Sequence, residues 1–170
     1  MTHSDPVLAV PLATTVPISG PSLTEGLGAI AGIATLHDRS IPGTRAGISH
    51  IAIGPSGVYV IDAHDARGIV VRRDRRLFVG VQDRSDLLAA MKVPVDAVAA
   101  ALGDLHLPIS RALCFTAGEW PAGNPPFMLR GVWVGPSNPL FGIVAQPGRL
   151  QPSEIEYARN RLDALLPASD

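Results

Sequence analysis

Ser49, Asp62 and His64 are the residues whose types and spacing in this chain could do chemistry. They lie in the stretch Arg45 to Gly68, RAGISHIAIGPSGVYVIDAHDARG, where two apolar runs, Ile48 to Ile53 and Val58 to Ala63, flank Gly54-Pro55-Ser56-Gly57. Such runs around a Gly/Pro/Ser cluster predict a β-hairpin with a four-residue loop. With Ile53 opposite Val58, Ile51 meets Val60 and Ser49 meets Asp62, and His64 follows two residues on along the same face. A carboxylate with a hydroxyl opposite and an imidazole beside it is either the remnant of a metal site or an ordinary polar strand end. Imidazole plus carboxylate suits Zn²⁺ or Mn²⁺, which makes Asp62, His64 and Asp65 one possible ligand set. His50 points to the other face and is read as packed or hydrogen-bonded. His3, His37 and His106 belong to no constellation and are read as surface or loop residues.

The flanking elements must hold this hairpin in place. Ser22-Leu23-Thr24-Glu25 opens at most one or two helical turns, because Gly26, Gly28 and Gly32 each weaken a helix by about 1 kcal/mol. A short strand, Ala34 to Leu36, and a turn, Ile41-Pro42-Gly43-Thr44, lead into the hairpin. Beyond it, Ile69 to Arg72 and Arg75 to Val79 predict a second hairpin turning at Arg73-Asp74. Ser85 is a candidate cap for a helix from Asp86 to about Gly103, with Leu87, Leu88, Met91, Val95, Val98 and Leu102 as its core stripe and a kink at Pro94. Ile109 to Phe115 and Val132 to Val134 read as strands, and Pro121 to Pro126 as a loop. Ser153 with Glu156 caps a final helix to Leu166, with Ile155, Leu162 and Leu165 inward. One mixed β-sheet sandwiched by helices, an α/β fold, accommodates this order most simply.

At 170 residues and 46% hydrophobic content the chain can bury one core. Residues 1–22, with prolines at 6, 11, 17 and 21, read as a flexible leader, and 23–170 as a single domain. A net charge of -1 gives no global pull towards nucleic acid. The lone Cys114 has no internal disulfide partner and reads as a packed hydrophobe. Trp120 and Trp133 read as packing residues. Without a basic signal start or a run of roughly 20 apolar residues, the expectation is a cytoplasmic protein away from the membrane.

The runs HDRSIPGTRAGISHIAIGPSGVYVIDAHDARG, LFVGVQDRSDLLAAMKVPVDAVAAAL and LCFTAGEWP, from about Leu36 to Pro121, resemble the NERD (nuclease-related) domain in order and spacing. The resemblance implies a restriction-endonuclease-like PD-(D/E)xK fold that presents Mg²⁺ or Mn²⁺ to DNA. On its alignment, Ser49 stands where the family carries an aspartate just before the histidine that matches His50. Asp62-Ala63-His64 stands for the Glu/Asp-x-Lys motif, with the acid kept and the lysine replaced. The family's helix glutamine falls at Pro94, and Glu25 is what remains of its Gly-Glu helix start. Mg²⁺ is usually held by one or two carboxylates plus water and substrate, so exchanging the aspartate for Ser49 removes charge from the metal position. The unmatched positions imply a pseudoenzyme with no cofactor.

Arg67, Arg72, Arg73, Arg75, Arg76 and Arg84 cluster around the second hairpin, interrupted by Asp74 and Asp83. They read as DNA phosphate contacts or as a charged edge that keeps the hairpin soluble. Three functions follow. The first is a catalytically silent nuclease-related domain kept for nucleic-acid association or another interaction. The second is a Mg²⁺- or Mn²⁺-dependent DNA nuclease using Asp62, helped by Glu25 or a backbone carbonyl. The third is a DNA-binding module acting through the arginines without chemistry.

Overall fold

The computed structural model describes residues 22–123 and 125–170, so the leader apart from Ser22 lies outside the described residues. Ser22 belongs to the first helix, α1 (Leu23–Gly28). Its Oγ accepts from the Glu25 N–H at 3.2 Å, while the Glu25 carboxylate accepts from the Ser22 N–H at 2.9 Å. This reciprocal capping starts a helix that its glycines would otherwise discourage.

The main sheet has six strands. Strands β1 (Ala34–Ser40), β2 (Gly47–Gly54) and β3 (Gly57–His64) are antiparallel, and β7 (Ile109–Phe115) joins β3 in parallel. Next, β10 (Val132–Gly135) runs parallel to β7, and β9 (Phe127–Leu129) forms the far edge. The central register agrees with the apolar pattern: Ile53 opposes Val58 and Ile51 opposes Val60. Gly54 pairs with Gly57, so the connection is Pro55-Ser56 rather than the four-residue loop expected.

Gly57 makes that tight connection possible. Its φ is +134°, and a Cβ there would lie 2.6 Å from the Pro108 carbonyl oxygen, which accepts the Val58 N–H at 2.8 Å. Gly57→Ala therefore meets both a glycine-only backbone conformation and a backbone atom that cannot move without losing its bond. It is expected to cost about 3 kcal/mol, read as a lower urea midpoint at unchanged m-value.

Strand β1 is longer than the expected Ala34 to Leu36 and continues through Asp38 at φ +47°. Its outer edge is covered near the C-terminus: Ser40 N–H donates to the Pro167 carbonyl at 2.8 Å and Ser169 N–H to the Asp38 carbonyl at 2.7 Å. Long-range pairing of this kind satisfies an exposed strand edge and leaves no local signal in the sequence.

The single-sheet expectation needs correction. The second hairpin leaves the main sheet and, with two short strands, makes a four-stranded sheet. It contains β4 (Gly68–Arg73), β5 (Arg76–Val79), β6 (Gln82–Asp83) and β8 (Gly118–Glu119). Its turn is Asp74-Arg75, one residue later than expected, with φ of 49° and 61°. Two-residue hairpins favour positive φ at both turn positions, and aspartate tolerates that region better than most residues.

Helices cover both faces of the main sheet. On one face α1 and α4 (Ser137–Val144) bury Leu23, Leu27, Leu140 and Val144 against Ala52, Tyr59, Ile61, Ala112 and Cys114. On the other, α3 (Lys92–Leu102) and α5 (Pro152–Leu165) bury Val98, Leu102, Ile155 and Leu162 against Leu36, Ile51, Val58, Val60 and Leu113. Val70, Leu77 and Val79 of the small sheet join this second core. The protein is thus a mixed α/β sandwich.

The helix after Ser85 breaks at Met91, between α2 (Asp86–Ala90) and α3, and not at Pro94. Pro94 lies in the first turn of α3, where its missing N–H has no intrahelical partner to lose. Ser85 does not cap α2, because its Oγ accepts from Leu77 N–H at 3.0 Å. Helix α5 starts earlier than expected, through Gln151 and Glu154. Leu165 is 49% exposed and Leu166 takes the inward position. No helix among the described residues is long and apolar enough to cross a membrane.

Candidate functional site

The register of β2 and β3 brings Ser49 to Asp62. Ser49 Oγ donates to Asp62 Oδ1 at 2.9 Å, and His64 Nε2 lies 2.9 Å from Asp62 Oδ2. An ionised carboxylate only accepts, so Nε2 is the protonated nitrogen of that pair. Burial alone raises the Asp62 pKa, but the bonds from His64 and Ser49, the His64 charge and the Ala63 N–H together outweigh it and hold the carboxyl below its ordinary value. All three side chains are partly buried, so the array keeps an opening to solvent.

The order of the groups decides what they can do. In a serine nucleophile site the imidazole stands between hydroxyl and carboxylate and takes the hydroxyl proton. Here the carboxylate stands in the middle. Ser49 faces an acid whose lowered pKa makes it a poor proton acceptor at neutral pH. The arrangement is a closed hydrogen-bond array, and it does not activate a nucleophile.

Nor do the residues fit a hard divalent cation. Both Asp62 oxygens already hold a partner, and among the described residues no three His, Cys, Asp or Glu side chains come together as ligands. Asp65 does not complete the set expected with Asp62 and His64, since β3 ends at His64 and Asp65 is exposed in the next loop. Glu25 is spent on capping its own helix. The Ser22 backbone and side-chain bonds lower its pKa, and α1 packs on the face that carries Tyr59 and Ile61, opposite to Asp62.

His50 lies on the face away from Asp62, as expected, but His37 is not an isolated surface or loop residue: it is half-buried in β1. It stands directly across from His50 in β1, with Nδ1 to Nδ1 at 2.8 Å, so one ring donates and the other accepts. His50 is 9% exposed. Burial and the neighbouring His37 push its pKa down to about 4, against the opposing pull of Asp38 and Asp62. Burial also lowers that of His37. Cys114 is buried, as expected, with Sγ 3.5 Å from Ser137 Oγ and its pKa raised by burial. An inaccessible, protonated thiol is unreactive.

The arginines divide. Arg76 pairs with Asp83 at 3.2 Å and Arg84 with Asp86 at 3.4 Å, while Arg67 lies exposed in the loop before β4. Arg72, Arg73 and Arg75 instead line an open cleft of about 430 Å³ with Met128 and Arg130 from the hairpin of β9 and β10. Arg72 is oriented on both sides: Nη1 donates to the Met128 carbonyl at 3.2 Å and Cζ lies 5.4 Å from the Phe127 ring centre. Arg73 lies 5.6 Å over Phe78. Arg130 was missed in the sequence because Phe127-Met128-Leu129 is too short a run to announce a strand. The available signal was Arg130-Gly131 between two apolar stretches, a two-residue turn whose φ values are 51° and 76°.

An aromatic row links the two places. His64 and Phe115 ring centres lie 5.7 Å apart, Phe115 and Trp120 6.4 Å, and Trp120 and Phe127 6.2 Å. Trp120 Nε1 is buried without a hydrogen-bond partner among the described residues, so the indole serves as packing between the sheets, as expected for Trp120.

Fold and site together define a mixed α/β sandwich with a Ser–Asp–His array at a strand end and an arginine cleft at two hairpin tips. Compared with protein-family models, curated proteins and solved structures, the chain matches none.

Proposed function

We propose that this chain is a nuclease-related, NERD-like domain that does not cut DNA and is retained as a binding or interaction fold. The observation that carries the reading is the commitment of both Asp62 oxygens, one to Ser49 and one to His64, at 2.9 Å each. In a metal-dependent nuclease of the restriction-endonuclease type, the hairpin position of Ser49 carries an acid and that of His64 a lysine. Here the hydroxyl and imidazole donate to the one carboxylate left, and a cation would compete with both for its oxygens without a second acid to help hold it. Support for the scaffold comes from the antiparallel β1, β2 and β3 with β7 added in parallel, flanked by helices on both faces.

The test is incubation of the full chain with supercoiled plasmid and with linear DNA in millimolar Mg²⁺ or Mn²⁺. No nicking or degradation above the level of Asp62→Ala is the expected result. Metal-dependent cutting that disappears in Asp62→Ala would instead make the protein an active nuclease working from a single carboxylate.

A further inference from the structure

We infer that the cleft between the two hairpin tips is a phosphate-binding site, built by Arg72, Arg73, Arg75 and Arg130, for the terminal phosphate or pyrophosphate group of a small anion. This goes beyond the non-cutting reading and does not depend on it.

Charge is the first support. Four guanidinium groups line the cleft against the single carboxylate of Asp74, and none of the four has an acidic partner within 4.0 Å among the described residues. The neighbouring Arg76 and Arg84 do have such partners and lie outside the cleft. Arginine forks match phosphate oxygens in pairs.

Preorganisation is the second. The carbonyl of Met128 and the ring of Phe127 hold the Arg72 guanidinium in one orientation. A fixed donor loses less freedom on binding.

The third support is where the arginines stand in the turns. Arg75 and Arg130 have φ of 61° and 51°, a region where glycine or asparagine is cheaper than arginine. Two separate hairpins accept that conformation with arginine at tips lining the same cleft. Packing does not account for either choice, since both residues are exposed.

Size favours a small group. A cleft of about 430 Å³ suits a small ligand. A protein that tracks a nucleic-acid strand combines a long basic groove with free aromatic faces, whereas Phe127 is already covered by Arg72.

The experiment is calorimetric titration of the full chain with inorganic pyrophosphate in EDTA, which removes divalent metal and so separates the outcome from that of the nuclease assay. Arg75→Gly and Arg130→Gly are each expected to weaken binding about tenfold, the size of one charge-assisted contact. Both relieve a positive-φ turn and are expected to keep or raise the melting temperature, so the loss is not unfolding. Arg76→Ala, outside the cleft, is expected to keep affinity within about twofold, because its partner is Asp83. Oligonucleotides of about ten nucleotides, with and without a 5′-phosphate, identify the source. Binding of the phosphorylated strand alone supports a terminal phosphate. Equal binding of both strands overturns the assignment to a terminal phosphate. Failure of pyrophosphate to bind, or unchanged binding in the double variant, overturns the proposal.

Discussion

Lowering the pH from 7 to 4 is expected to remove about 3 kcal/mol of folding stability through His50 alone. The folded-state pKa of His50 is about 4, against an ordinary 6.5. Between those values the unfolded chain binds the proton and the folded chain does not, so stability falls as pH falls. The contribution is complete above about pH 6.5 and lost as the pH passes through about 4. The physical cause is a ring kept from water between strands, facing a second imidazole in place of an acid. His50→Leu keeps the volume and cannot take the proton. Urea midpoints of the wild type and His50→Leu, followed from pH 7 to pH 4, are expected to converge by about that amount; parallel profiles would mean that His50 does not stay neutral. Asp62 acts lower on the scale. Its pKa lies below the ordinary 3.8, so its stabilising bonds persist until the pH falls below that value.

The second large effect concerns the array itself. Ser49→Asp with His64→Lys puts a carboxylate directly across from Asp62 and removes the imidazole that closes Oδ2. Without metal, two like charges at one strand end repel each other, by up to about 1 kcal/mol, and the variant is expected to melt below the wild type. With millimolar Mn²⁺ the two acids can share the ion, and binding to the folded state raises the melting temperature by mass action. An Mn²⁺ affinity at least about 100-fold above that of the wild type is expected, since even an outer partner of a metal site changes affinity by about 10–100-fold. Titration is best followed by Mn²⁺ electron paramagnetic resonance, which reads binding without any activity. An unchanged spectrum in the double variant would place the obstacle elsewhere.

How much was legible follows the distance over which each feature is decided. The Ile53–Val58 register, and with it the meeting of Ser49 and Asp62, is readable because strand alternation and a short turn are local and admit few alternatives. The same holds for β7, for the burial of Cys114 and for the stripe of Val98 and Leu102. Helix starts were less secure because competing caps stood within a few residues. Ser85 bonds Leu77 instead of its own helix, and Gln151 with Glu154 precedes the pair at Ser153 and Glu156. Propensity ranks such caps but does not choose between them.

By itself the sequence determined a mixed α/β sandwich around the central hairpin, a hydroxyl facing a carboxylate at its end, and an arginine-rich second hairpin. Only the tertiary structure decided that this hairpin joins a separate small sheet, that His37 meets His50, and that Arg130 comes to Arg72, Arg73 and Arg75 while Arg76 is drawn away to Asp83. Each depends on partners far apart in the chain or on a choice among nearby charges, and no local periodicity encodes such choices. They are settled only when packing brings the strands and hairpin tips together and their polar groups come within reach of one another.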